Sequence, residues 1–310
     1  MNESHGPPTR VVAEPDGRVV VELAAPIDLA ATLWPVAHGR GDPTIRIGPD
    51  GVWRATRTPL GSTTMRLVPS ATSITVTAWG DGAPWVIAHA RDLCGANDRP
   101  EELVPGHRVI AELVHRMPGL RLAATLRPFD ALLPAICEQK VTGHEARIAF
   151  HGIVAAYGEA APGPARLRLL PEPATLARLP YFAFHRFGLE RRRSEVIRRA
   201  AEIAPRLEGR TSAEVGAMLL RVPGIGPWTA AEVTRMAFGD PDAISVGDYH
   251  IPNLVAWALA GEPRADDARM LELLEPYRGQ RGRIQRLLES SGLGPPRRGP
   301  RMAPRNITDQ

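Results

Sequence analysis

The 310-residue chain is poor in cysteine and in long apolar runs, and both shortages exclude whole classes of protein. Its two cysteines, Cys94 and Cys137, are too few for a disulfide framework or a cysteine-ligated zinc site. Its nine histidines show no metal-ligand spacing, so no metal site is expected. No apolar run reaches 18 residues and the start lacks an apolar signal region, so we expect a cytoplasmic protein without a membrane partner.

Positive charge is concentrated in the later part of the chain. Residues 1–95 carry 8 arginines and 9 acids, a net charge of −1, so the overall +4 leaves +5 for residues 96–310. Seven arginines against two glutamates lie between Arg178 and Arg199. Four of the 16 aromatic residues fall within Tyr181–Phe187, which makes Phe184, Arg186 and Phe187 candidates for nucleic-acid contact. The alternative is a solvated arginine face on a helix.

The order of the expected elements indicates an α+β protein with two domains. Short β-branched runs separated by Gly and Pro, with two helices at 29–36 and 84–93, predict a small antiparallel sheet domain over residues 17–100. Residues 101–294 are expected to form an all-helical domain. Residues 1–16 are expected to be a flexible leader and residues 295–310 a basic disordered tail. The five predicted strands are 19–23, 44–47, 52–56, 64–67 and 73–77.

A turn between two helical patterns is the strongest local motif. Thr211 and Glu214 have the spacing of a capping box that begins one helix, and a second helix is expected from Thr229 to Phe238. Between them lies Pro223-Gly-Ile-Gly226, whose glycine amides would point outward beside a helix start and form a phosphate site. The alternative is a helix-turn-helix elbow without a ligand.

Several motifs resemble those of one enzyme superfamily. Residues 211–256 resemble the helix-hairpin-helix and Gly/Pro-rich-Asp segment of the DNA glycosylases, and the likeness is greatest to bacterial 3-methyladenine DNA glycosylase II. The resemblance extends over roughly residues 105–290, and a weaker likeness reaches the amino-terminal part. It implies a helix-hairpin-helix glycosylase domain after the sheet domain. The motifs that carry it are 116–121, 127–132, 135–142, 222–230 and 247–249.

The resemblance implies that Asp248 is catalytic. A carboxylate stabilises the oxocarbenium-like transition state of N-glycosidic cleavage, and it can orient or deprotonate the attacking water. Asp248 also precedes a helical pattern, so it could instead be a helix cap, and one residue can hold both roles.

Lysine is the other scarce residue, and its position bears on the type of reaction. Bifunctional relatives form a Schiff base through a lysine at the position that Trp228 occupies here. Because that lysine is absent, the resemblance implies hydrolysis by water. The Trp228 ring would instead form a wall on which the extruded base stacks. The single lysine, Lys140, follows Gln139 in the loop whose family equivalent enters the space left by the flipped nucleotide. Lys140 could fill that space, contact a phosphate, lie on the surface or form a non-standard Schiff base. No carboxyl-terminal cysteine is present for the iron–sulfur cluster of some relatives, so no cofactor is expected.

Glu232 departs from the family pattern, which favours an aromatic residue one turn after Trp228. Its carboxylate could face the base pocket and favour a cationic alkylated base, or it could face solvent. The residues expected to line the base pocket are Trp228, Glu232, Phe184 and Phe187. The expected DNA contacts are Gly224, Ile225, Gly226, Thr229, Gln139, Lys140 and Arg186.

Together these features predict a monomeric, nucleoid-associated, monofunctional DNA glycosylase. It would hydrolyse the N-glycosidic bond of alkylated purines in double-stranded DNA, the first step of base excision repair, without metal or cofactor. The alternatives are an oxidised-purine glycosylase of the 8-oxoguanine type and a non-catalytic DNA-binding helix-hairpin-helix protein.

Overall fold

A computed structural model describes residues 14–296 of the chain. The predicted leader and basic tail therefore lie almost wholly outside the described residues. An antiparallel sheet comes first in the chain and helices follow it, so the predicted α+β class is confirmed. No helix among residues 14–296 is long and apolar enough to cross a membrane.

All five predicted strands are present, and they form one antiparallel sheet. The strands are β1 (Gly17–Glu22), β2 (Ile45–Gly48), β3 (Gly51–Thr58), β4 (Gly61–Pro69) and β5 (Ser73–Trp79). Their spatial order is β1-β5-β4-β3-β2, so consecutive strands β2 to β5 form a meander and β1 adds to its β5 edge. At the β2–β3 turn Gly51 has φ of +108°, a conformation that glycine adopts at little cost.

Thirteen α-helices occur within the described residues. The first four in chain order are α1 (Leu29–Leu33), which lies between β1 and β2, and α2 (Ala83–Ala88), α3 (Ala90–Leu93) and α4 (Arg108–Arg116), which follow β5. Those of the helical part are α5 (Pro128–Cys137), α6 (Gly143–Tyr157), α7 (Pro173–Arg178), α8 (Arg191–Leu207), α9 (Ser212–Leu219), α10 (Pro227–Phe238), α11 (Ile251–Ala260), α12 (Asp267–Leu274) and α13 (Arg281–Ser290). Short 3₁₀ turns lie at Trp34–Val36, Pro100–Glu102, Tyr181–Phe187 and Glu275–Tyr277.

The sheet is covered on both faces. Alternate strand residues such as Met65 and Ile74 pack with residues of α1, α2 and α3 in one apolar cluster. The opposite face presents Trp53 and Trp79, whose rings stack with centroids 5.4 Å apart, and the segment 161–169 packs on them. Because that segment comes from the helical part of the chain, the two parts are interleaved rather than joined end to end.

Helix α5 forms the centre of the helical part. Nine of its ten residues are buried, and it packs against α6, α8 and α10. A second apolar cluster joins α4, α11, α12 and α13. Buried ion pairs tie the sheet side to both clusters: Arg54 contacts Asp130 of α5 at 2.7 Å, and Arg283 of α13 contacts Asp98 at 2.6 Å. Breaking such a buried pair from one side costs about 3–5 kcal/mol, so the first turns of α5 and α13 are held firmly against the sheet side.

Candidate active site

The predicted hairpin is formed by α9, a tight turn and α10. Thr211 and Glu214 make both capping-box hydrogen bonds at the start of α9, as the sequence predicts, and Gly239 ends α10 in a left-handed conformation. Gly224 has φ of +97°, and a Cβ there would lie 2.3 Å from Cγ2 of Val196. The turn therefore requires glycine at position 224 for its own conformation and packing.

Unpaired amides surround the amino terminus of α10. Proline at the first helical position removes one donor that the helix could not satisfy. Gly226 has φ of −108°, and a Cβ built there would meet nothing within 4 Å. Such donors at the positive end of a helix dipole form a site for a phosphate. The amides at this turn that find no acceptor among residues 14–296 are those of Gly224, Gly226, Trp228 and Thr229.

Two of the expected DNA contacts in the hairpin, Ile225 and Thr229, have side chains that stabilise the turn itself. The Ile225 side chain is 6% exposed, and its amide donates to the carbonyl of Val222. The Thr229 side chain is buried and its hydroxyl accepts a hydrogen bond from Gln139. The Ile225 side chain therefore fills the core beneath the turn, and a contact between Ile225 and DNA stays a prediction.

The loop after α5 lies against the hairpin. Gln139 donates from Nε2 to the carbonyl of Gly224 at 3.1 Å and to the Thr229 hydroxyl at 2.9 Å. Lys140 follows it, exposed and with φ of +56°, which is uncommon for a residue other than glycine. The structure thus brings Gln139 against the turn at 223–226, with Lys140 exposed beside it.

Asp248 lies half-buried in the loop before α11 and is held by three donors. Its Oδ1 accepts from the amides of His250 at 2.6 Å and Ile251 at 2.9 Å, so it caps the helix. Its Oδ2 accepts from the indole N–H of Trp228 at 2.9 Å. The hairpin and the aspartate are therefore in direct contact. Three donors on one carboxylate fix its orientation.

Glu232 faces neither solvent nor an open pocket, which corrects both expectations for it. Its carboxylate accepts from Arg235 at 2.8 and 2.9 Å and from the Ser245 hydroxyl at 2.5 Å. Burial raises the pKa of Glu232, and Arg235 opposes that effect. A carboxylate engaged in this way supplies no free charge to a base.

The aromatic cluster at 181–187 divides between core and surface. Phe184 is wholly buried in the core around α5, so the prediction that it lines a base pocket is wrong. Phe187 packs partly buried against the same core, while Phe182 is 61% exposed. Arg186 is exposed and stacks its guanidinium over the ring of Phe187 at 4.7 Å.

Two polar features of the site were not anticipated from sequence. Arg193, in the arginine-rich stretch, is buried and donates to the carbonyls of Cys137 and Gly188, so it joins α5 to the turn before α8. Ser245 is buried three residues before Asp248 and contacts α10 and α13. Within residues 14–296 no group of three or more His, Cys, Asp and Glu residues could hold a metal ion.

Comparison with known proteins identifies the fold. No protein-family model matches the chain, and no curated protein matches it by sequence. A 3-methyladenine DNA glycosylase from Archaeoglobus fulgidus is similar with a TM-score of 0.74 and 20% identity, over 87% of this chain and 96% of the other. The 8-oxoguanine glycosylase/lyase of Clostridium acetobutylicum gives 0.67 and 12%, over 90% and 97%. A Schizosaccharomyces pombe 3-methyladenine DNA glycosylase bound to abasic DNA gives 0.50 and 17%, over 60% and 92%.

The chain has the fold of the helix-hairpin-helix DNA glycosylases. The fold that the resemblance of residues 211–256 implies is therefore confirmed. The solved structures that share the fold include enzymes described for alkylated and for oxidised bases, at 12–20% identity for the three above. Fold similarity does not select between those substrates.

Proposed function

We propose that the protein is a monofunctional DNA glycosylase that hydrolyses the bond between a damaged base and its deoxyribose in duplex DNA. The observation that carries the proposal is the contact between Asp248 and Trp228, which places a fixed carboxylate beside the unpaired amides of the hairpin. A phosphate site next to a carboxylate suits a reaction at the sugar of a bound nucleotide. Solved structures with the same fold are glycosylases, one of them bound to abasic DNA.

The proposed reaction begins when a phosphate near the lesion binds the amides of Gly224 and Gly226. The nucleotide turns out of the helix, and its base stacks on Trp228, with Lys140 and Gln139 near the vacated space. The bond between C1′ and the base nitrogen breaks, and its electron pair leaves with the base. Asp248 stabilises the positive charge that develops on the sugar. Water then attacks C1′ and transfers a proton to Asp248, which passes it to the released base or to solvent, and an abasic site remains.

Hydrolysis, rather than a lyase reaction, is proposed because the hairpin has no lysine. Trp228 occupies the position at which bifunctional relatives carry that amine, and an indole forms no Schiff base. The only amine of a side chain belongs to Lys140. Borohydride reduction in the presence of abasic DNA should therefore give no covalent complex. A trapped complex that disappears in Lys140→Arg would contradict the hydrolytic assignment.

For the substrate we propose alkylated purines. The hairpin and aspartate motifs resemble those of 3-methyladenine glycosylase II, and a 3-methyladenine glycosylase shares the fold over 87% of the chain. The competing assignment is an oxidised purine, which the 8-oxoguanine glycosylase/lyase with the same fold supports. Mass spectrometry of bases freed from methylated and from 8-oxoguanine-containing duplexes separates the two assignments.

Asp248→Asn tests whether the protein is a catalyst. The amide oxygen of asparagine can still cap α11 through His250 and Ile251, but the negative charge beside the sugar is gone. Base release should fall on the order of 10³-fold or more, with DNA binding largely kept. Asp28→Asn, which changes the cap of α1, is the matched control and should release base normally. Unchanged release in Asp248→Asn contradicts the proposal, and a wild-type protein that binds but never releases a base supports a binding module.

We also propose that residues 17–100 and 101–294 act as separate domains of a monomer. Most of the apolar cluster of the sheet comes from residues 21–96, which supports a boundary near residue 100. Ala123 and the segment 161–169 nevertheless pack on the sheet from the helical part. Sedimentation of the free protein and of its DNA complex tests the monomer.

A further inference from the structure

A closed ring of largely buried hydrogen bonds includes Ser245, whose carbonyl accepts the amide of Asp248. We propose that this ring positions the carboxylate of Asp248 for catalysis, and that Glu232 and Arg235 are positioning residues. The inference rests on the proposed glycosylase function. It assigns a role to Glu232, which the sequence placed in a base pocket.

The ring joins α10, the loop that carries Asp248, and α13. Arg235 bonds both oxygens of Glu232 at 2.8 and 2.9 Å and donates to Glu289 at 2.8 Å. The Gln285 amide donates to the other oxygen of Glu289 at 2.8 Å and to the Ser245 hydroxyl at 2.9 Å. That hydroxyl donates to Glu232 at 2.5 Å and closes the ring. The backbone N–H of Ser245 also donates to Oε1 of the Gln285 side chain at 3.1 Å.

Two short paths lead from the ring to Asp248. The carbonyl of Ser245 accepts the Asp248 amide at 3.2 Å, so the ring fixes the backbone of the catalytic residue. On α10, Glu232 follows Trp228 by four residues, which places the two side chains one turn apart on the same face. Trp228 in turn donates to the Asp248 carboxylate. Both the backbone and the side chain of Asp248 are therefore fixed through the ring.

Burial gives the ring few alternative arrangements. Ser245 is fully buried, Gln285 is 1% exposed and Arg235 is 7% exposed. The side chains of Glu232 and Glu289 are 16% and 25% exposed. A largely buried charged network that loses one member leaves the remaining groups unsatisfied. The five side chains therefore favour one geometry, and the loop at Ser245 is held at a defined distance from α10. A residue that controls catalytic geometry to within about 1 Å can change a rate about 10²-fold.

Glu232→Gln tests the inference against a matched control. The control is Glu208→Gln, since Glu208 is also a partly buried carboxylate paired with an arginine, Arg127, but it touches no residue of the ring. We expect Glu232→Gln to slow single-turnover base release about 10–100-fold while the Kd for abasic-site DNA stays within about twofold. Glu208→Gln should lower the thermal stability and leave base release within about twofold of wild type. Wild-type release in Glu232→Gln would overturn the inference.

A double-mutant cycle with Trp228→Phe separates positioning from general destabilisation. If Glu232 and Trp228 fix the same carboxylate, the rate loss of the double variant departs from the product of the single losses. Trp228→Phe combined with Glu208→Gln should give the simple product. Independent effects in the first cycle would contradict the inference.

A third variant covers the case in which Glu232→Gln does not fold. Ser245→Ala removes one hydroxyl from the ring and should still slow release at least about fivefold without changing the Kd. Release at the wild-type rate in that variant would overturn the inference. The two proposals fail separately: a wild-type protein that releases no base contradicts the glycosylase function, whereas an active wild type with active ring variants contradicts only the ring.

Discussion

Substitution by alanine should affect different properties at the two glycines of the turn: thermal stability at Gly224 and affinity for DNA at Gly226. The fold requires Gly224, whose φ is +97° and whose Cβ would lie 2.3 Å from the buried Val196 side chain. Nothing in the described protein requires Gly226, whose φ is −108° and whose Cβ would meet no atom within 4 Å. If a phosphate approaches the Gly226 amide, an added methyl group causes a steric clash only when DNA is bound.

The structure gives the size of both effects. Gly224→Ala combines an unfavourable backbone conformation, about 1–3 kcal/mol, with overpacking against Val196, about 1–3 kcal/mol. The sum of about 2–6 kcal/mol should lower the Tm by roughly 4–12 °C for a protein of this size. For Gly226→Ala, the poorer helix cap and the smaller entropy of the unfolded chain nearly offset each other. Its Tm should stay within about 2 °C, while the Kd for DNA rises about tenfold, or 1.4 kcal/mol.

Thermal unfolding by circular dichroism and fluorescence anisotropy with a labelled duplex carrying an abasic analogue measure the two quantities. The salt concentration must be the same throughout, because phosphate contacts weaken steeply with salt. Wild-type affinity in Gly226→Ala would refute the close approach of a phosphate to that amide. A wild-type Tm in Gly224→Ala would refute the steric account of the turn.

Two further outcomes follow from titratable groups. Hydrogen bonds from the amide and hydroxyl of Thr211 lower the pKa of Glu214. The ionised Glu214 side chain therefore stabilises α9 fully above the ordinary glutamate pKa, and this stabilisation is lost as pH falls through the lowered pKa. The difference in unfolding free energy between wild type and Glu214→Gln should therefore shrink between about pH 6 and pH 3; a constant difference contradicts this. Burial raises the pKa of Cys137 to about 12 and also raises that of Cys94, so a thiol reagent at about pH 8 should modify neither in the native protein and both in urea. Rapid native labelling would show that these thiols are not buried as described.

The features that the sequence predicted well are local ones. The capping box of α9 needs only Thr211 and Glu214, and the turn needs only glycine at a left-handed position. The strands follow from β-branched runs between turn residues, and each pairs with a neighbour that is close in sequence except β1. The family resemblance implied that Asp248 lies near the hairpin. The helical pattern after Asp248 predicted that this residue caps α11.

The aromatic segment 181–187 shows where composition failed. Four aromatic residues near arginines suggested a stacking surface, but the segment forms a 3₁₀ turn. Side chains three residues apart share a face in such a turn. Phe184 and Phe187 accordingly point toward the core, and Phe182 lies on the other side with 61% of its surface exposed. A composition argument cannot choose between these faces without the period of the helix.

The prediction for Glu232 was wrong for a different reason, and that reason bears on how the protein could select a base. Its partner Ser245 is 13 positions away, and its other partner, Arg235, also bonds Glu289, which is 57 positions from Glu232, so no local pattern marks this network. With its carboxylate committed to Arg235, and the Trp228 N–H committed to Asp248, neither group can serve a base without giving up a bond worth about 1.5–3 kcal/mol. Under the proposed function, the indole ring of Trp228 then remains for stacking. Selection would depend more on how readily a damaged nucleotide leaves the helix and its base leaves the sugar than on hydrogen bonds from these two residues.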